Sequence, residues 1–205
     1  LLVAPHCLQD KLIDMIDGEI SKAKAGQKGL IRLKMNSLTD KMLIDKLVEA
    51  SQAGVQVEMI VRGICCLRPG LKGISETITV RSVVGELLEH ARVYWFRHGG
   101  DERMYIGSAD LMTRNLNGRI EVLTPVLDAD IRANILTQII EPQLKDNIHA
   151  WVQASDGSYR KLSPNAGEAA YSSQDEIGRQ LKLMARGTAK KAAGHSETSA
   201  VGRRL

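Results

Sequence analysis

Aromatic side chains are scarce in this sequence, which has one Phe, two Trp and four Tyr among its 205 residues. Proteins that bind single-stranded nucleic acid stack the bases on aromatic side chains, so a base-stacking surface is not expected. Long apolar runs are also missing, because no stretch reaches the roughly 18 uninterrupted apolar residues of a membrane-spanning helix. We therefore expect no specific nucleic-acid partner and no transmembrane segment.

Cysteine is rare as well, and the three cysteines are Cys7 and the adjacent pair Cys65 and Cys66. An odd number without a framework spacing indicates reduced thiols and a cytoplasmic protein. We interpret the adjacent pair as packed apolar side chains. The sequence also lacks a Gly-Lys-Ser/Thr phosphate loop, a GxGxxG turn after a strand and a Cys/His metal cluster. The familiar nucleotide and metal motifs therefore do not explain this chain.

Basic charge in excess is confined to one end of the chain. Residues 155–205 hold nine lysines and arginines against five acidic residues, so this segment accounts for the whole net charge of +4. A tail of this kind can bind polyanions weakly. The rest of the chain is neutral, so an anion site there must come from the local placement of arginines.

The order of apolar patterns predicts an α/β fold. Strand patterns at residues 1–5, 30–35 and 55–61 alternate with helix patterns at 8–25 and 40–53, the second capped by Ser37 or Thr39. Such an alternation favours a sheet covered by helices. Further strands are predicted at 78–84, 92–96, 103–108, 119–126 and 149–152, a turn at 98–101, and helices at 128–144 (capped by Asp128) and 172–184.

We expect three units along the chain: a catalytic domain at residues 1–154, an extension at 155–186 that includes the last helix, and a disordered tail at 187–205. The tail is rich in small and polar residues. Because the chain opens on Leu1 inside an apolar run and not on methionine, we also expect that it was cut from a longer protein.

The segment around His90 combines the residue types that phosphate chemistry requires. Arginine pairs two phosphate oxygens at once, and histidine exchanges protons near neutral pH. If residues 92–96 form a strand, His90, Arg92 and Tyr94 share one face. Ser108 and Asp110, at the end of the next strand, can orient the imidazole. By spacing alone, however, a histidine beside arginines is more often an ordinary surface residue.

Arg62 is a second candidate for ligand binding. It directly follows the third strand pattern and precedes Gly63. In open α/β sheets, ligands bind at the carboxyl ends of strands. The remaining histidines, His6, His98, His149 and His195, show no partner pattern.

Three motifs together resemble one family. "VRGICCLRPG" at residues 61–70, "LEHARVY" at 88–94 and "GSADLMTRN" at 107–115 are similar to the carboxyl-terminal region of bacterial polyphosphate kinases. The clear resemblance spans residues 34–126, and a weaker one extends from residue 1 to about 184.

The resemblance implies a phospholipase D-like fold: a mixed sheet flanked by helices, with a partly disordered C-terminal tail. It also implies reversible transfer of the terminal phosphate of ATP to polyphosphate through a phosphohistidine that belongs to an upstream half. His90 then matches the second essential histidine, and Arg62 matches an arginine that contacts ATP. The phosphate ligands that we add by chemistry and proximity are Arg92, Arg114, Arg119, Asn36 and Lys34.

The partners implied are ATP or ADP with Mg²⁺, polyphosphate, the upstream domains of the same enzyme and further copies in a homo-oligomer. The location implied is cytoplasmic, with peripheral association with the inner membrane left open. Two residues depart from the family pattern: Glu86 replaces a common arginine, and Leu111 replaces a common tryptophan. We expect this chain alone to be inactive, because it supplies only one of the two histidines.

Two other functions stay open. One is a phosphodiesterase of the phospholipase D class, which a lysine at position 92 would favour; the sequence has arginine there. The other is a polyanion-binding module without enzymatic activity. The basic tail suits that function, whereas the neutral folded part and the few aromatics do not.

Overall fold

The structure is a computed structural model that describes residues 1–185. Within them, one mixed sheet has the strand order β1-β7-β6-β5-β2-β3-β4-β8-β9. Its strands are β1 (Leu2–Ala4), β2 (Leu30–Met35), β3 (Gln56–Val61), β4 (Ile78–Val83), β5 (Val93–Phe96), β6 (Arg103–Gly107), β7 (Glu121–Pro125), β8 (Ala150–Gln153) and β9 (Tyr159–Lys161). The strands β2, β3 and β4 run parallel, and the other neighbours are antiparallel.

Helices cover both faces of the sheet. The helices are α1 (Leu8–Lys24), α2 (Lys41–Gln52), α3 (Thr113–Gly118), α4 (Ala129–Ile135) and α5 (Glu141–Lys145), followed by a helical segment at residues 173–185. The apolar faces of α1 and α2 pack on one side of the sheet in the larger core cluster. Leu136 and Ile140 pack on the other side in a second cluster. The predicted mixed α/β sheet flanked by helices is therefore confirmed.

The strand β5 is buried on both faces. Tyr94 and Phe96 belong to the larger cluster, and Val93 and Trp95 belong to the second. The strand predicted at residues 92–96 begins only at Val93, so His90 and Arg92 precede it, whereas Tyr94 lies within it and is fully buried. The Tyr94 hydroxyl donates to the backbone oxygen of Ala109 at 2.6 Å, and burial raises its pKa.

The cap of α2 differs from the prediction. Asp40, and not Ser37 or Thr39, accepts a hydrogen bond from the backbone N–H of Leu43 at 3.1 Å. The same carboxylate accepts from Gln9 at 2.9 Å and Thr113 at 3.1 Å. All three candidates are good cap residues, and these distant partners lie beyond what local sequence can indicate.

The second half of the chain has finer structure than the sequence predicts. The helix predicted at 128–144 is capped by Asp128, as expected, but a π-helical turn at Leu136–Ile140 separates α4 from α5. The helix α3 and the strand β9 were not predicted. The predicted turn at 98–101 is confirmed as a 3₁₀ turn at His98–Gly100, and helix is present at 173–185 as predicted.

Two predictions about chain organisation stay untested. The disorder predicted for residues 187–205 lies outside the described residues, and the division into units after residue 154 remains a prediction. Among residues 1–185, no helix is both long and apolar enough to cross a membrane.

Candidate functional site

A polar cleft lies along one edge of the sheet. The strands β2 and β3 end there, and Asn36 and Arg62 follow them directly. Because β5 is antiparallel to β2, its amino end reaches the same edge and brings His90 and Arg92 there. The cleft has a volume of about 290 Å³ and is lined by Asn36, Ser37, Arg62, His90, Arg92, Ser108, Asp110, Met112, Arg114, Asn115 and Arg119.

The carboxylate of Asp110 organises the cleft. Its Oδ1 accepts hydrogen bonds from the backbone N–H of Asn36 at 2.7 Å, from the Asn36 side chain at 3.3 Å and from the backbone N–H of Ser37 at 3.4 Å. Arg92 pairs with both oxygens, through Nε at 3.3 Å and a terminal nitrogen at 3.1 Å. This bidentate pair fixes the plane of the guanidinium.

The other terminal nitrogen of Arg92 points to His90. It lies 3.0 Å from the imidazole Nδ1 and 3.0 Å from the His90 backbone oxygen. A guanidinium donates hydrogen bonds and accepts none, so Nδ1 is the acceptor. The ring proton of neutral His90 therefore resides on Nε2. His90 is exposed at the cleft, where Nε2–H can donate a hydrogen bond to a bound oxyanion.

Asn36 joins Arg62 to this network. It is 5% exposed, and its Oδ1 accepts from Nε of Arg62 at 2.9 Å while its amide nitrogen donates to Asp110. The backbone oxygen of Arg62 accepts from the Ser82 hydroxyl at 2.9 Å. Arg62 is thus fixed at both ends beside the cleft.

Ser108 and Asp110 do not contact the imidazole directly. The Ser108 hydroxyl donates to Glu121, which also accepts from Asn115 at 2.7 Å. Asp110 contacts Arg92, so any orienting effect of Asp110 on His90 passes through that guanidinium.

Arg114 and Arg119 add positive charge at the rim. Both side chains are exposed, and Arg119 lies 3.9 Å from the carboxylate of Glu121. Exposed guanidinium groups of this kind can reorient to pair with phosphate oxygens.

Lys34 does not reach the cleft with the other predicted ligands. It lies within β2, is 1% exposed, and its ammonium pairs with Glu89 at 3.0 Å. Burial lowers the pKa of Lys34, and the attraction of Glu89 offsets only part of that effect. Its place near the carboxyl end of β2 made it a candidate ligand, but its ammonium is buried against Glu89.

Sequence reasoning missed several residues of the site. Ser37, Met112 and Asn115 line the cleft, and the buried Glu121 supports Ser108. A signal existed only for Glu121, since an acidic residue inside a strand pattern requires a partner. Among the described residues, no group of three His, Cys, Asp or Glu side chains could hold a metal ion.

Comparisons with known proteins cover most of this chain. The family model described as polyphosphate kinase C-terminal domain 2 matches residues 1–174. The polyphosphate kinase of Rhodopirellula baltica is 48% identical over 179 residues, which are 87% of this chain and 21% of that protein. The polyphosphate kinase of Staphylococcus haemolyticus is 49% identical over 187 residues, 89% of this chain and 26% of that protein.

A solved structure also matches. The crystal structure of polyphosphate kinase from Porphyromonas gingivalis superposes with a TM-score of 0.85 and 42% identity, over 89% of this chain and 28% of that chain. This chain thus spans about a quarter of the length of the curated relatives that it matches.

Proposed function

The chain belongs to the polyphosphate kinase family, as its C-terminal domain, and from that premise we propose that it forms one wall of a catalytic centre that moves the terminal phosphate of ATP to polyphosphate and back. One observation carries the proposal: a single cleft brings four arginines together around His90. In this proposal, a phosphohistidine on the upstream half of the enzyme carries the phosphate between the two substrates.

In this proposal, the arginines of the cleft have two different roles. Arg62, Arg114 and Arg119 bind the oxygens of the nucleotide and of the polyphosphate, because their planar guanidinium groups pair two oxygens each. Arg92 is already paired with Asp110, so it binds phosphate less freely and chiefly holds the imidazole. Fixed positive charge around the moving phosphoryl group is the main requirement of phosphoryl transfer.

His90 acts on the leaving group. As the bond from the γ-phosphorus to the bridging oxygen breaks, that oxygen gains negative charge, and Nε2–H of His90 donates a hydrogen bond to it. In the reverse direction the same N–H holds the attacking oxygen, and the proton stays on Nε2 throughout. Because Nδ1 accepts from Arg92, His90 is better suited to donate through Nε2 than to attack phosphorus, which leaves the nucleophilic role to the upstream histidine.

Other partners follow from the family. Magnesium arrives bound to the phosphates of ATP as part of the substrate, and polyphosphate is the second substrate. The complete enzyme is a cytoplasmic homo-oligomer, and peripheral contact with the inner membrane belongs to the same proposal. Of the two departures from the family pattern, Leu111 is buried and Glu86 is exposed. Only Glu86 can therefore weaken the attraction of the cleft for anions.

The phosphodiesterase alternative makes a different use of the same cleft. Phospholipase D enzymes have a lysine two residues after the histidine, whereas this chain has Arg92, which is fixed by Asp110. A polyanion-binding module would need the charge of the cleft but not the imidazole.

The test is polyphosphate synthesis from ATP by this chain joined to its upstream half, comparing His90→Ala with wild type. His6→Ala, which alters an exposed histidine outside the cleft, is the matched control. We expect His90→Ala to lose several orders of magnitude in rate with folding and ATP binding retained, and His6→Ala to match wild type. Near-normal synthesis by His90→Ala would contradict the proposal, and His90-dependent hydrolysis of a phosphodiester without synthesis would favour the phosphodiesterase.

A further inference from the structure

The loop that carries His90 has little apolar anchoring of its own. This histidine loop, residues 85–90, lies in the connection between β4 and β5. Its apolar side chains Leu87 and Leu88 are 66% and 71% exposed. Val84, just before it, is 57% exposed. Apolar burial therefore contributes little to fixing the loop, and other contacts must determine where His90 lies.

Gln174, far along the chain, makes those contacts. Its side-chain oxygen accepts from the backbone N–H of Leu87 at 3.0 Å, and its amide nitrogen donates to the backbone oxygen of Leu87 at 2.8 Å. The same nitrogen donates to Glu89 at 3.0 Å. Gln174 is only 8% exposed. It thus pairs with the loop backbone as a neighbouring strand would.

Glu89, the residue next to His90, fixes the loop from the other side. Its second carboxylate oxygen accepts from Lys34 at 3.0 Å and from Gln143 at 2.6 Å. Burial opposes the charge on Glu89, but the attraction of Lys34 and the hydrogen bonds from Gln174, Lys34 and Gln143 together lower its pKa. The carboxylate is therefore charged at neutral pH and fully engaged.

Contacts outside the cleft fix the position of Gln174. The neighbouring Ser173 is fully buried and donates through its backbone N–H and its hydroxyl to Asp146, at 2.8 and 2.7 Å. The other oxygen of Asp146 accepts from three successive backbone N–H groups at the start of β8. Gln174 thus extends from the body of the sheet to the loop.

Gly85 allows the close approach of the two segments. A Cβ at this position would lie 2.4 Å from the side-chain oxygen of Gln174 and 2.9 Å from its amide carbon. A side chain there would have to displace Gln174, whose polar atoms are already engaged with Leu87 and Glu89.

We propose that Gln174 and Glu89 are positioning residues for His90, in an inference that rests on the proposed function. They fix the loop backbone on both sides of residue 88, so that the imidazole meets Arg92 and the cleft. Neither residue lines the cleft, so neither is a catalytic residue. The inference assigns a role in the active site to the segment that follows β9, which the three sequence motifs do not include.

The experiment uses the enzyme made by joining this chain to its upstream half. Gln174→Ala removes the three contacts to the loop, and Gln180→Ala is the matched control, because Gln180 lies in the same helical segment and bonds to Glu176 at 2.7 Å. We expect Gln174→Ala to lower kcat by about 10- to 100-fold, with a smaller change in KM for ATP, as a supporting contact behind a reacting group does. Gln180→Ala should keep the wild-type kcat.

The His90→Ala background separates positioning from general stability. If Gln174 acts through His90, then Gln174→Ala causes no further loss of kcat once His90 is alanine. An equal loss in both backgrounds would overturn the proposal, since a merely structural role does not depend on the imidazole. Unchanged kcat in Gln174→Ala would overturn it as well.

A measurement on this chain alone distinguishes failure of the inference from failure of the proposed function. We expect Gln174→Ala to speed hydrogen exchange at the Leu87 amide and to shift the His90 imidazole resonances, and we expect Gln180→Ala to do neither. Unchanged resonances and exchange in Gln174→Ala would overturn the positioning role whatever the activity. Near-normal synthesis by His90→Ala, with the resonances shifted as expected, would instead refute the function assigned to His90 and confirm the contact.

Discussion

Two acidic residues flank the candidate catalytic histidine, and they are used differently. Asp110 accepts from Asn36, Ser37 and Arg92, all of which line the cleft. Glu89 accepts from Lys34, Gln143 and Gln174, none of which lines it. Asp110 therefore arranges the groups that line the cleft, whereas Glu89 contacts the residues that hold the backbone next to His90.

The two networks also differ in the cation that each contains. A guanidinium keeps its proton at any pH that proteins experience, but a buried ammonium can lose its proton. Arg92 is therefore a permanent charge that needs Asp110. Lys34, whose pKa burial already lowers, can become neutral if Glu89 is removed. Removing Asp110 should therefore lower the free energy of unfolding more than removing Glu89.

The largest effect on stability is expected for Asp110→Ala. It leaves the guanidinium of Arg92, which is 13% exposed, without its counter-charge and two backbone N–H groups without an acceptor. We expect a loss of about 3 to 5 kcal/mol in the free energy of unfolding, measured by urea denaturation of this chain. The control Asp45→Ala removes a 61% exposed partner of Lys41 and should cost less than about 1 kcal/mol. A comparable small cost for both variants would show that Asp110 does not organise the cleft.

A smaller and pH-dependent effect is expected for Glu89→Ala. We expect a loss of about 2 kcal/mol at neutral pH, the cost of leaving polar groups without their acceptor. The loss should shrink between neutral pH and a pH just below the ordinary lysine pKa of 10.5 as Lys34 gives up its proton, because burial lowers the pKa of Lys34. The loss for Asp110→Ala should stay constant over the same interval. Denaturation of both variants at the two pH values checks this, and a parallel response of the two would remove the distinction between them.

Acid should weaken the Glu89 side of the site. The pKa of Glu89 is lowered in the folded state relative to its ordinary value of 4.5, and the pKa of Asp146 relative to 3.8. Such carboxylates stabilise the fold above their unfolded pKa, and the contribution disappears as pH falls through the folded value. We expect the free energy of unfolding to fall steadily below about pH 4.5 and to fall less steeply in Glu89→Gln. An identical acid slope in wild type and variant would argue against this contribution.

The smallest effect on stability is expected for Arg119→Gln. The side chain is 60% exposed and lies 3.9 Å from Glu121, so the free energy of unfolding should change by less than about 0.5 kcal/mol. Affinity for tripolyphosphate should nevertheless fall by about 1 kcal/mol, because one charged ligand is lost. Calorimetric titration of both proteins measures this, and unchanged affinity would place the polymer away from that rim.

The Asp110 side of the site could be predicted from sequence because its members follow simple rules. Asn36 and Arg62 directly follow adjacent parallel strands, and Asp110 belongs to a short motif after a strand. One partner of Glu89, by contrast, is Gln174, which lies 85 residues away along the chain and follows no periodic pattern. Only the folded chain brings the two together.

Lys34 and Tyr94 show a second limit of sequence patterns. An alternating strand pattern identifies two faces but does not say whether both are covered. Tyr94 is buried because the sheet has helices on both faces, and Lys34 is buried because an acidic residue from a distant loop meets it.

The most direct test of the site is a titration of this 205-residue chain with tripolyphosphate, followed through the imidazole resonances of its five histidines. We expect the His90 resonances to shift until the chain is saturated, and the resonances of His6 and His149 to stay in place. In Arg62→Gln, the shift of His90 should be weaker or absent. Binding that leaves the His90 resonances unchanged and shifts only those of His195 would contradict the account, because the C-terminal segment and not the cleft would then be the phosphate site.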